Sequence, residues 1–165
     1  MKRFVPELVN IPSGIETKDF RIRVLTINDL VKDYDAVMTS IDHIKGVFGP
    51  KSSWPAYDLT IEQDLIDLGW HQKEFEIKSS FAYTVMNLDE SKCLGCVYID
   101  PSEKEGYDAK IICWIRKSEI SNGLDEKLFF AVKLWLSEEW WFTSLAFPGR
   151  EITWVQWDQL PDKRC

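Results

Sequence analysis

FAYTVMNL (81–88), CLGCVYI (93–99) and DAKIICWIR (108–116) are three short apolar runs, and their close spacing decides the fold. Each reads as a strand bounded by turn residues. Asp89-Glu90-Ser91 makes the first connection, and Asp100 to Gly106, with Pro101, makes the second. Strands joined by turns this short pair antiparallel. Residues 81–116 are therefore expected to form a β-meander.

Working upstream, Phe20, Ile22 and Val24 alternate with Arg21 and Arg23, the pattern of a half-buried strand. Thr26 and Asp29 have the spacing of an N-terminal cap, and Leu30, Tyr34, Val37 and Ile41 then recur at helical spacing. A loop with Gly46, Gly49, Pro50 and Pro55 follows. Thr60 and Gln63 form a capping box for a second helix with an apolar stripe of Ile61, Leu65, Leu68 and Phe75. Downstream, Asn122 is expected to cap a third helix through its side chain. Leu124, Leu128, Ala131, Val132 and Trp135 lie on one face of it, so it should pack flat on the sheet. Phe142 to Phe147 reads as a further strand ended by Pro148-Gly149, and Ile152 to Trp157 as a last short one. The class is α+β, a mixed and mostly antiparallel sheet flanked by helices. Residues 1–19 read as an extended arm, 20–147 as the domain, and 148–165 as a short segment completing it.

The 165 residues fit one domain able to bury a core. Lys and Arg total 20 against 27 Asp and Glu, a formal charge of −7, and that field opposes nucleic acid and anionic membrane surfaces. No apolar run approaches the ~20 residues that span a bilayer, and Met1 to Asn10 lacks a secretory apolar stretch. The four cysteines, Cys93, Cys96, Cys113 and Cys165, are too sparse for a disulfide scaffold. Reduced thiols in a cytoplasmic protein are the expectation. Five of the eight tryptophans (Trp135, Trp140, Trp141, Trp154, Trp157) fall late in the chain. They read as a wide aromatic core, with a homodimer surface through this Trp-rich region as the alternative.

The order strand, helix, helix, three-strand meander, helix, strand resembles the GNAT fold of acyl-CoA-dependent N-acetyltransferases. Phe20 to Thr26 is similar to that family's first strand and helix entry, Cys93 to Ile99 to its third strand with Gly95 in the usual place, and residues 111–136 to its fourth strand and third helix. The resemblance covers roughly residues 20–147. It implies a pantetheine arm of acetyl-CoA or CoA lying along Trp114, Ile115 and Arg116, and a pyrophosphate on amides at Asn122, Gly123 and Leu124. The sequence departs from the family there. Of the glycine-rich loop only Gly123 remains, and Asp125 and Glu126 in the first helical turn repel phosphate. The family also continues with a fourth helix, often carrying a Tyr as general acid, and two more strands. No Tyr follows Tyr107, which leads to the expectation of a truncated fold or a sheet completed by a partner chain.

Candidate bases are Asp100, Asp108 and His71. Asp100 and Asp108 flank the second meander turn and also fit simple turn roles. His71 follows Asp67 and Asp64 by one and two helical turns, acids that favour its imidazolium. Trp70 and Tyr98 are candidate substrate contacts. Cys93 and Cys96 form a CxxC, but strand residues three apart point to opposite faces, so neither redox chemistry nor metal binding is expected. His43 and His71 lack the partner spacing of a zinc site. These residues suit an acyltransferase acting on a small-molecule amine, whose acylation needs one base and little else. A non-catalytic GNAT-like module, dimeric or binding a small molecule, accounts equally for Asp125, Glu126 and the short C-terminus. A third reading is an aromatic pocket of Trp70, Tyr98 and Trp114 for an apolar or cationic ligand.

Overall fold

The computed structural model describes residues 3–164; Cys165, one of the four cysteines noted above, lies outside them. Six strands form a single sheet in the order β1-β2-β3-β4-β5-β6. They are β1 (Gly14–Glu16), β2 (Arg21–Val24), β3 (Phe81–Met86), β4 (Cys93–Pro101), β5 (Ala109–Ile115) and β6 (Leu145–Ala146). The first five pair antiparallel, and β6 runs parallel to β5. The helices are α1 (Leu30–Met38), α2 (Ile41–Ile44), α3 (Ile61–Glu76), α4 (Leu124–Glu139) and α5 (Trp154–Gln159). Short 3-10 turns lie at Ile27–Asp29 and Lys117–Asn122.

The expected meander is present, and β3, β4 and β5 are buried along almost their whole length. Burial on both sides follows from helices covering both faces. One face packs on α4 through Leu124, Leu128, Val132, Trp135 and Leu136, which meet Phe81, Tyr83, Val97, Ile99, Ile111 and Cys113. The other packs on α1 and α3 through Ala36, Val37 and Leu68, which meet Ala82, Cys96, Tyr98, Ile112 and Trp114. Among the late tryptophans, Trp135, Trp140 and Trp157 are buried. Trp135 stands edge-on to Tyr83 at 4.9 Å and to Trp140 at 5.6 Å, the perpendicular geometry that aromatic quadrupoles prefer. These three indoles are core, which removes most of the surface that suggested a homodimer. The chain ahead of β2 crosses this same layer, with Pro12 C=O accepting from Tyr83 and Phe4 C=O from the Trp141 indole.

Local expectations are corrected in four places: the two late strands, the cap of α4, the stripe of α3 and the facing of two cysteines. The Phe142–Phe147 strand shrinks to the two residues of β6, and 152–157 is not a strand but the start of α5. Thr153 and Gln156 make a reciprocal capping box there, Oγ1 accepting from the Gln156 amide at 3.1 Å and Oε1 from the Thr153 amide at 3.0 Å. That box was legible in the sequence and outweighs the apolar alternation. The N-cap of α4 is Gly123, at φ 68°, and not Asn122, whose amide donates to Glu119 instead. On α3 the inward face carries Leu68 and Asp64, while Ile61 and Leu65 of the expected stripe are exposed. The fourth correction concerns Cys93 and Cys96. The β3–β4 register runs Val85↔Gly95 and then Met86↔Cys93, so Leu94 is an extra residue in a β-bulge. A bulge reverses the side-chain parity of what lies beyond it. Cys93 and Cys96 therefore share the α1/α3 face, and Leu94 and Val97 share the other.

Candidate active site

β5 and β6 pair at Ala109↔Leu145 and Lys110↔Ala146, and within these strands the pairing stops there. Chain direction is the reason. A strand entering parallel to β5 after a helical crossover diverges once Pro148-Gly149 turns it away, with Gly149 in the left-handed region at φ 82°. The edge of β5 from Ile111 to Ile115 therefore faces a cavity of about 450 Å³. Its other walls are His43 to Val47 from α2 and the turn after it, Pro148 to Arg150, Asp125 at the start of α4, and Trp154 of α5. Trp154 is wedged between two glycines. A Cβ at Gly149 would stand 2.8 Å from its ring, so that position needs glycine on spatial as well as backbone grounds, while Gly49, at φ 108° and with its Cβ position 3.3 Å from the ring, needs it on backbone grounds.

One side chain ties three walls of the cavity together. Arg150 donates Nη1 to Asp125 Oδ2 at 2.9 Å and Nη2 to Asp125 Oδ1 at 2.8 Å, and Nη2 also reaches the Cys113 carbonyl at 3.1 Å. Its guanidinium lies 5.0 Å from the Phe129 ring centre. Arg150 thus satisfies a β5 carbonyl left open by the splay, and neutralises the Asp125 carboxylate. The first turn of α4 is accordingly less hostile to anions than the sequence alone suggests, because the nearer of its two acids is paired. α4 has no side-chain cap, which leaves its leading amides among the orphan donors that helix N-termini present to anions.

The carried-over cofactor residues separate into two groups. Trp114 and Ile115 line the cavity, and Gly123 and Leu124 begin α4 beside it. Arg116 does not: it is buried and turned to the opposite side, donating to Cys93 C=O at 3.0 Å, Asp35 Oδ2 at 3.0 Å and Thr39 Oγ1 at 3.2 Å. Asn122 is engaged with Glu119.

Behind Trp114 lies an aromatic cluster. Trp114 Nε1 donates to Tyr98 Oη at 3.3 Å. Phe48 packs on Tyr98 at 5.0 Å and on Trp54 at 5.2 Å, and Trp54 lies 6.2 Å from Trp114. Burial pushes the Tyr98 phenol well above its ordinary pKa, so it stays protonated. His71 sits 5.4 Å from the Tyr98 ring and within electrostatic reach of Asp100, which accepts from Ser80 Oγ. Three of the sequence candidates, Tyr98, His71 and Asp100, are thus brought together, one layer behind the cavity wall. Burial raises the Asp100 carboxyl above its usual range. Asp64 does not accompany His71 as expected, being turned inward on α3; the acid beside the imidazole is Glu74, at 3.6 Å. Asp108 stands apart from this group, its Oδ2 accepting from the Thr143 amide (2.7 Å), the Thr143 hydroxyl (2.9 Å) and the Ser144 amide (3.2 Å). This is a turn-holding role, and it delivers the chain into β6. Trp70 is 65% exposed on the outward side of α3. His43, passed over in the sequence for want of zinc spacing, is an exposed imidazole on the cavity wall. No spacing rule could have found it, because the loop after α1 brings it there.

Comparison with solved structures places this architecture. The ribosomal-protein-S5-alanine acetyltransferase from Vibrio fischeri superposes with a TM-score of 0.59 at 16% identity, over 74% of this chain and 66% of that one. The fold is that of the GNAT acetyltransferases. RimL, a ribosomal L7/L12 α-N-protein acetyltransferase solved with coenzyme A, gives 0.59 at 13% identity over 77% of this chain and 67% of that one. The microcin C7 self-immunity acetyltransferase MccE, solved with acetyl-CoA and AMP, gives 0.53 at 18% identity, over 79% and 71%. The chain spans about two thirds of the length of the first of these GNAT structures. No protein-family model matches the sequence, and no curated protein matches it either. Among the described residues no helix is long and apolar enough to cross a membrane.

Proposed function

We propose that the protein is a cytoplasmic acyl-CoA-dependent N-acyltransferase that acts on an amine. The observation that carries this reading is the splay of β5 from β6, which leaves the β5 backbone facing a cavity bordered by the start of α4. The residues present fit the group. A pantetheine arm needs backbone partners, and the β5 edge from Ile111 to Ile115 along the cavity offers them. Phosphates need donors, and the uncapped amides at Leu124 to Glu126 together with the Arg150 guanidinium supply them, the Gly123 amide being held by the Ile120 carbonyl. When bound, acetyl-CoA supplies an acyl group activated as a thioester. The chain's own residues then have three tasks. Trp114 and Trp154 on the cavity wall pack against the apolar body of the acceptor, and Trp54 and Phe48 back Trp114 from behind. His43 on the cavity wall takes the proton that the amine nitrogen loses as its bond to the acyl carbon forms. Asp100 and His71 stand behind Tyr98 as a second route for that proton through water.

Calorimetric titration of the purified protein with acetyl-CoA and with CoA tests the reading. Micromolar binding, followed by release of free thiol in the presence of an amine panel, is the expected result. No heat and no thermal shift at millimolar CoA would overturn it and leave a GNAT-like module without acyl-CoA chemistry.

A further inference from the structure

The bulge that returns Cys93 and Cys96 to one face puts both thiols beside two carboxyls. Cys93 Sγ, Cys96 Sγ and one oxygen of Asp33 all lie within 4.8 Å of one another. Cys96 Sγ is 3.5 Å from Asp33 Oδ1. Asp64 projects from α3 against Asp33. It is 2% exposed, and its Oδ2 is buried with no hydrogen-bond partner. Asp33 is on α1 and both thiols are on β4, and Asp64 of α3 meets Asp33 at the edge of this three-residue group.

We propose that Asp33, Asp64, Cys93 and Cys96 form a closed structural site for a divalent, borderline-soft cation, Zn²⁺ in the first instance, Asp64 becoming the fourth ligand by turning its free oxygen to the ion. Spacing supports it. Four-coordinate zinc with bonds of about 2.3 Å to sulfur and about 2.1 Å to oxygen holds its ligand atoms about 3.5–3.8 Å apart, and the Cys96–Asp33 separation already has that value. Donor chemistry supports it too, since two thiolates select zinc over magnesium or calcium. Charge is the third argument. Four acidic groups are buried together, and buried carboxylates require protons, cationic partners or a metal. The nearby cation is Arg116, which acts on Cys93 but directs its guanidinium to Cys93 C=O, Asp35 and Thr39, while Asp67 adds further negative charge beside Asp64. Cys96 donates its S–H to Asp33 Oδ1, so the two groups already share one proton position. A dication replaces the protons on these groups and ties both helices to the sheet. The site lies inside the α1/α3 layer, so the inference is independent of acyl-CoA binding.

The experiment uses the full chain and metal ions alone. The protein purified without chelator should carry close to one zinc per chain by mass spectrometry. After chelation, Co²⁺ should produce thiolate-to-cobalt charge transfer and the visible bands of a tetrahedral site, saturating at one equivalent. Cys96→Ser, which removes one of the two thiolates, should reduce the charge-transfer band by half or more. Should that variant fail to fold, Asp64→Asn serves instead, expected to keep the band and weaken Co²⁺ binding at least ~10-fold. Cys113→Ser, at a buried thiol on the other sheet face, should change nothing in the spectrum. A folded protein that holds no zinc, shows no cobalt band and has the same Tm with chelator as with excess Zn²⁺ would overturn the proposal, as would a band that keeps its full intensity in Cys96→Ser and disappears with Cys165→Ser.

Discussion

Asp125→Asn is the substitution that bears most directly on the cleft. It is isosteric and removes one negative charge at the start of α4. The present pair is bidentate, at 2.8 and 2.9 Å, between side chains 24% (Arg150) and 32% (Asp125) exposed. That exposure places it above an ordinary surface ion pair, worth about 0.2–1 kcal/mol, and below a fully buried one. Asp125 also gains about 0.3–1 kcal/mol from the positive end of the helix. An asparagine keeps one hydrogen bond from Arg150, so the expected loss of stability is about 1–2 kcal/mol. For a chain of this size that corresponds to a fall in Tm of roughly 2–8 °C. CoA binding should move the other way. The substitution frees the Arg150 guanidinium from its carboxylate and removes a charge that repels phosphate. At 1.4 kcal/mol per tenfold, a gain of about 1 kcal/mol tightens Kd roughly 5-fold. Calorimetric titration with CoA and a thermal melt of the same preparation check both arms. A lowered Tm with unchanged or weaker CoA binding would refute the idea that phosphates lie at the start of α4.

Three further outcomes follow from the same geometry. Gly95→Ala should break the β4–β5 ladder, because a Cβ there would stand 1.9 Å from the Trp114 carbonyl oxygen; a melt within a degree or two of the parent would refute that contact, since overpacking of this kind costs about 1–3 kcal/mol or more. Tyr98→Phe leaves the buried Trp114 indole N–H without its acceptor and should cost about 1–3 kcal/mol in denaturant unfolding, with no loss if water replaces the phenol. Asp100 has a folded-state pKa raised by burial, so its contribution to stability is fully present below the ordinary carboxylate value and is lost as pH rises through the raised one. Asp100→Asn should therefore gain stability relative to the parent across that rise, and parallel urea-midpoint profiles for the two proteins would contradict it.

Local signals along the chain suffice for the meander, the helical region after Thr26, the capped helix after Thr60 and the apolar face of α4, and hence for the fold class. The signals are alternation in β2, the Thr60 cap that accepts from Gln63, and turns too short for anything but antiparallel pairing. Trp114, Ile115, Gly123 and Leu124 were legible only through the family resemblance; Trp114 and Ile115 line the cavity, and Gly123 and Leu124 begin α4. What only the tertiary structure decided were the relations between elements. Arg150 and Asp125 are 25 positions apart, and no periodicity links them, so the charge that tempers the helix start was invisible. Asp64 faces inward because α3 is rotated to meet Asp33, although its own pattern favoured Ile61 and Leu65. Arg116 turns away from the cleft because the Cys93 carbonyl and Asp35 draw it to the other face. The facing of Cys93 and Cys96 turned on a single extra residue in β4. Alternation is a rule about an unbroken ladder, and a bulge is set by the partner strand, which the sequence of one strand does not contain.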